Sequence, residues 1–174
     1  MSSCVVPGRV EPLWFLGTVA HVRLDGAQTG GRFALWEGVL PRGAAPPLHS
    51  HPQDETFYVL EGELTAWLVE PGSTGDASWV ETQARECRVG AVVFAAAAMP
   101  HTFRVESDTA RLLFLSTPAG IEDYVRALAE PADWPWLQPP AGGPRVAAER
   151  IEQIERELEI VRHGPPPPAA SRSS

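Results

Sequence analysis

The twenty residues Gly43-Ala44-Ala45-Pro46-Pro47-Leu48-His49-Ser50-His51-Pro52-Gln53-Asp54-Glu55-Thr56-Phe57-Tyr58-Val59-Leu60-Glu61-Gly62 hold two histidines and a carboxylate at close spacing. Alternate residues of a strand point to one face, so His49 and His51 project together. Glu55 has the same parity, four residues on, after a bend that Pro52 and Gln53 can make. Neutral imidazoles with a carboxylate suit a divalent first-row metal and can leave coordination positions open. By itself the trio also fits a solvated loop.

A second segment, Gly90 to Val105, strengthens the metal reading, because His101 opens a strand there directly after a turn. If strands 49–59 and 101–105 share a barrel, His101 can supply a fourth ligand. Phe57, Val59, Phe103 and Val105 would then line an apolar pocket around the metal. The surrounding chain supports such a barrel. β-prone runs cover Thr18 to Leu24, Phe33 to Leu40, Thr56 to Leu60, Leu64 to Val69, Ser78 to Arg85, Ala91 to Phe94, His101 to Val105 and Arg111 to Ser116. Turn signals recur between them, and Glu61-Gly62 reads as a tight hairpin. Short strands without alternating helices argue for a sandwich or barrel over βαβ units.

The first segment matches the first cupin motif, Gly-x5-His-x-His-x3-Glu-x6-Gly, at every fixed position, and the second resembles the second cupin motif after a spacer of 27 residues, Glu63 to Val89. The resemblance implies a mainly β fold, a cupin double-stranded β-helix (jelly-roll) barrel with C-terminal helices. It implies one divalent transition metal ion per chain (iron, nickel, cobalt, manganese, copper or zinc) on His49, His51, Glu55 and His101. The second motif departs from the family: its Pro-x-Gly is Ala96-Ala97-Ala98 here, and its trailing Asn is Val105. The turn before His101 must therefore form without the usual glycine.

Trp14 to Gly17, Thr29 to Phe33, Pro46 to His49, Glu55 to Gly62 and Pro118 to Glu122 are similar to bacterial single-cupin quercetin 2,3-dioxygenase-like proteins. That resemblance implies opening of a flavonol or related phenolic or enolic ring with O2. The Glu55 carboxylate would be the catalytic group that takes the hydroxyl proton. It also implies a homodimer, with Tyr58 and Leu60, of opposite parity to the ligands, facing outward. One barrel serves many chemistries. A metal-dependent cyclase or isomerase of an aromatic or polyketide-type substrate is thus an alternative, as is a non-catalytic metal or small-molecule binder.

Composition removes other classes. The chain of 174 residues has no Lys and no Asn, and 14 Arg stand against 22 carboxylates for a net charge of −8. Without lysine there is no Schiff-base nucleophile and no phosphate-loop lysine. An acidic chain without a basic patch is unsuited to nucleic acid or to an anionic membrane. Cys4 and Cys87 lie far apart, which favours two structural thiols over a disulfide scaffold. No basic segment followed by an apolar stretch opens the chain, so the expected location is cytoplasmic.

The expected organisation is an N-terminal arm over 1–11, the barrel over 12–120, C-terminal helices with a Pro-rich linker over 121–164, and a disordered tail over 165–174. Ile121 to Ala129 reads as one helix and Arg145 to His163 as another. In the second, Ile151, Ile154, Leu158 and Val161 form a seam, and His163 caps the end before Gly164 and four prolines. Trp36 reads as a core aromatic. Trp134 and Trp136 are candidates for a lid over the cavity.

Overall fold

The computed structural model describes residue 4 and residues 10–69, 82–132 and 146–167. Trp134, Trp136, most of the linker and residues 168–174 lie outside that set. Among the described residues the chain forms two antiparallel sheets with three helices.

The larger sheet runs in the order β11 (Ala129–Pro131), β1 (Leu13–Phe15), β2 (Thr18–Leu24), β3 (Ala34–Pro41), β10 (Thr109–Thr117), β5 (Asp54–Glu61) and β8 (Val92–Ala95). The smaller runs β12 (Val161–Gly164), β4 (Leu48–Ser50), β9 (His101–Val105), β6 (Glu63–Val69) and β7 (Thr82–Arg88). Residues of β3 alternate strictly between buried and half-buried, as do the inner residues of β10, so one face of each strand enters the core. Trp36 and Phe114 are register partners on β3 and β10, and their rings stack at 3.9 Å and 5°. Such a pair adds about 0.5–1.5 kcal/mol beyond its burial. Phe57 packs against both Phe103 and Phe114, which joins the two sheets.

Two sequence expectations change here. Glu61-Gly62 is not a hairpin turn: β5 pairs with β10 and β8, whereas β6 pairs with β7 and β9, so the chain crosses between sheets at this corner. A glycine signals a tight reversal of the chain but not the sheet the next strand joins. Gly62 has φ +84°, and a Cβ would run into the carbonyl oxygen of Thr109 and stand 2.9 Å from Ala110 Cα.

The last helix is also shorter than its periodicity suggests. α1 (Gly26–Thr29) and α2 (Ile121–Leu128) precede it, and α3 covers only Ala148–Glu157. It stops in a Schellman arrangement: the Ile160 N–H donates to Glu155 O and the Glu159 N–H to Arg156 O, with Glu159 at φ +56°. Residues 161–164 then become β12 and pair with the free edge of β4, matching Val161 to Ser50 and Arg162 to His49. His163 is consequently no helix cap; its Nε2 lies 2.9 Å from Ser50 Oγ. Ile154 and Ile160 are buried, while Val161 of the expected seam is exposed.

Cys4 and Cys87 are both free. Among the described residues no helix is long and apolar enough to cross a membrane. Tyr58, Val92 and Phe94 form an exposed apolar group on the outer face of β5 and β8, where Tyr58 is matched to Val92.

Gly62→Ala should destabilise the protein by about 2–4 kcal/mol, because left-handed strain and a backbone clash coincide. Urea denaturation measures it; a loss of less than about 1 kcal/mol, the usual penalty for a left-handed Ala alone, would remove the clash from the account.

Candidate metal centre

Each sheet contributes to one cluster. His49 on β4 stands opposite His101 on β9, the one registered pair that joins these strands. The entry to β4 is held by Thr102, whose Oγ1 donates to Pro46 O at 2.7 Å. His51 follows β4 at the crossing to the other sheet, and Glu55 lies on β5, matched to Ser116 and Ala95. The ligand atoms of His49, His51 and His101 all lie within 4.8 Å of one another. Glu55 Oε2 reaches His101 Nε2 at 3.2 Å and His51 Nε2 at 3.8 Å.

The hydrogen-bond pattern shows what this cluster needs. His49 Nδ1 is 2.9 Å from Pro47 O and His101 Nδ1 is 2.9 Å from Met99 O. A carbonyl oxygen only accepts, so both Nδ1 atoms carry hydrogens and the Nε2 atoms are the ones turned into the cluster. His101 Nε2 and Glu55 Oε2 stand 3.2 Å apart, so a proton or a metal cation lies between them. Both ring nitrogens of His51 are buried without a partner, an arrangement that is costly unless something is bound. Three imidazoles and a carboxylate are a donor set that could hold a transition metal.

Burial, followed by the neighbouring His101, pushes the His49 pKa down to about 3, against the opposing pull of Glu55. Burial raises the Glu55 pKa, but the facing His101 and His51 side chains lower it by more, so the carboxyl stays well below its usual range. The cluster therefore keeps a neutral His49 beside an ionised Glu55, the protonation states metal ligation requires.

His49 and Glu55 open onto a cavity of about 350 Å³. Phe15, Trp36, Phe103 and Phe114 supply aromatic wall, and α2, α3 and β12 close it with Ile121, Tyr124, Val125, Ile151, Glu155, Ile160 and Arg162. Of the four pocket residues expected from strand parity, Phe103 lines the cavity. Phe57, Val59 and Val105 are almost wholly buried in the core cluster and are not among its lining residues. Trp36, expected in the core, is both buried and part of the cavity wall. Tyr124, Glu155 and Arg162 escaped sequence reasoning. Nothing in their spacing announces a meeting that depends on β12 docking beside β4. His21 lies elsewhere, on β2 opposite Glu37 of β3.

The turn before His101 forms without glycine. Ala98 takes φ +61°, its N–H donates to His51 O at 2.8 Å, and the Ala97 N–H donates to Asp54 Oδ1 at 2.8 Å. The loop that delivers His101 is thus tied to the strand that delivers His51 and Glu55. An alanine in this conformation is strained, so Ala98→Gly should stabilise the fold by about 0.5–1 kcal/mol. Thermal unfolding checks this; an unchanged or lower Tm would mean that the turn holds no strain.

Residues 36–118 match the family model for the cupin domain. No curated protein matches the chain by sequence. Among solved structures, oxalate decarboxylase from Bacillus subtilis is similar over 69% of this chain at a TM-score of 0.55 and 15% identity, but the chain spans only 31% of that protein. KdgF from Halomonas sp. is similar at a TM-score of 0.57 and 15% identity, over 71% of this chain and 99% of its own. The polyketide cyclase RemF from Streptomyces resistomycificus is similar at a TM-score of 0.53 and 20% identity, over 89% of this chain and 94% of its own. At these identities the likeness is one of fold. Two antiparallel sheets, the match of residues 36–118 to the cupin domain and these neighbours agree on a mainly β fold consistent with a cupin jelly-roll barrel.

Proposed function

We propose that this chain is a metal-dependent cupin enzyme acting on a small planar phenolic or enolic substrate. His49, His51, His101 and Glu55 would hold the metal, with quercetinase-like O2-dependent ring cleavage as the reaction. The observation that carries this reading is the cluster of three histidines whose ligand atoms lie within 4.8 Å of one another, His51 having both ring nitrogens buried without a partner, beside Glu55 and an aromatic-walled cavity. A bound divalent ion would supply Lewis acidity, lowering the pKa of a coordinated hydroxyl. Glu55, held ionised, then accepts the hydroxyl proton at Oε2, while the stacked Trp36 and Phe114 orient a flat ring and keep water off it. Manganese, named for the centres of Bacillus subtilis oxalate decarboxylase, is one candidate metal beside iron, nickel, cobalt, copper and zinc. The exposed Tyr58, Val92 and Phe94 would form the contact of a homodimer.

A second reading is a cyclase or isomerase that consumes no oxygen. Similarity to the polyketide cyclase RemF favours it, since 89% of this chain is covered, more than the barrel alone.

His49→Ala and His101→Ala should each lower metal content by more than about tenfold, because either change removes a ligand and unpins its neighbours. Elemental analysis reads this directly, and full occupancy in both variants would remove the site as drawn. Turnover of flavonols in an oxygen electrode separates the reactions. Stoichiometric O2 uptake is expected; substrate loss under anaerobic conditions would instead establish the cyclase or isomerase reading.

A further inference from the structure

The C-terminal elements place a carboxylate in the cavity wall. Glu155 of α3 is 7% exposed and lines the cavity together with Tyr124 of α2 and Arg162 of β12. Tyr124 donates its hydroxyl to Glu155 Oε1 at 3.1 Å, and Arg162 donates Nε and Nη2 to the same oxygen at 3.0 and 2.7 Å. All three donors converge on Oε1. Oε2 accepts no hydrogen bond among the described residues. Oε2 is not among the buried polar atoms that lack a partner, so this oxygen is accessible and free to accept from a ligand. Arg162 is the register partner of His49, so one member of the cluster sits on the strand next to the candidate metal ligands.

We propose that Glu155 Oε2 is a recognition point for a hydroxyl group of the ligand, a second hydroxyl besides the oxygen presented to the histidines. This rests on the reading that the cavity takes a phenolic or enolic ligand, and it narrows the class to aromatics with at least two hydroxyls. Arg162 balances the charge of Glu155, so the site offers an acceptor without a net attraction for cations. It therefore selects a neutral donor. The Tyr124 bond and the two-pronged Arg162 contact hold the carboxylate in one orientation, so little freedom is lost when a hydroxyl docks. The volume, near the lower end of the range of about 300–1,000 Å³ for ligand pockets, suits a ligand of two or three rings.

The test uses the full chain loaded with Zn(II), which is redox-inert, and isothermal calorimetry. The probes are 2-naphthol, 6-methoxy-2-naphthol, and the 2,3-, 2,6- and 2,7-dihydroxynaphthalenes. At least one diol should bind about tenfold more tightly than 2-naphthol and than the methyl ether, which cannot donate, as expected for a hydrogen bond to a charged acceptor. Glu155→Gln keeps an amide oxygen for Tyr124 and Arg162 but turns an amino group, a donor, into the place of Oε2. The diol advantage should then shrink to within about twofold. Binding of 2-naphthol with no diol advantage overturns the proposal and leaves the phenol reading standing, as does an advantage that survives Glu155→Gln. No binding of any probe overturns both. Should the variant fail to fold, the diol and methyl ether compared on the native chain decide the matter.

Discussion

The pairing of His49 with His101 is the single registered contact between β4 and β9, and the smaller sheet is continuous only through it. A half-buried imidazole, His49, and a buried one, His101, are thereby held side by side, with Glu55 of the opposite sheet facing His101. Burial and mutual repulsion oppose protonation of His49, while the Nδ1 bonds to Pro47 and Met99 fix which nitrogen points inward. The same contact positions β4 so that its other edge is free to receive β12. Sheet continuity, the histidine cluster and the docking of the C-terminal strand thus share one geometric cause.

The cavity follows from that docking. β12 leads back to α3, which packs against α2, and these elements close a space whose other walls come from the strands. The strand side is almost entirely apolar or aromatic, whereas the C-terminal side brings the Tyr124–Glu155–Arg162 cluster. The cavity thus has chemically different walls: His49 and Glu55 at one place, the aromatic faces of Trp36 and Phe114 along the strands, and the Tyr124–Glu155–Arg162 cluster on the C-terminal side.

Legibility in the sequence followed the range of the interaction concerned. His49, His51 and Glu55 were visible because strand parity is local, and His101 because a turn and a strand start mark it. β3 and β10 were visible from their β-prone runs. Glu61-Gly62 was misread because a turn residue reports φ and not the destination of the strand. The end of α3 was misread because its left-handed residue is Glu159, where a glycine would have announced the stop; the burial of Ile160 and the pairing of β12 offset that strain. Parity put Phe57, Val59, Phe103 and Val105 on the inward side. It could not say which of them meets the cavity and which lies in packed core.

Spacing and residue chemistry alone determined a mainly β chain in which His49, His51 and Glu55 share a strand parity, because period-two geometry needs no partner strand to be read. Tertiary structure decided the rest. Which strand crosses to which sheet, where the last helix yields to β12, and that Tyr124, Glu155 and Arg162 meet in one wall all depend on surfaces far apart in sequence. Such contacts become favourable only after the sheets close around a common core and leave the edge of β4 open to pairing.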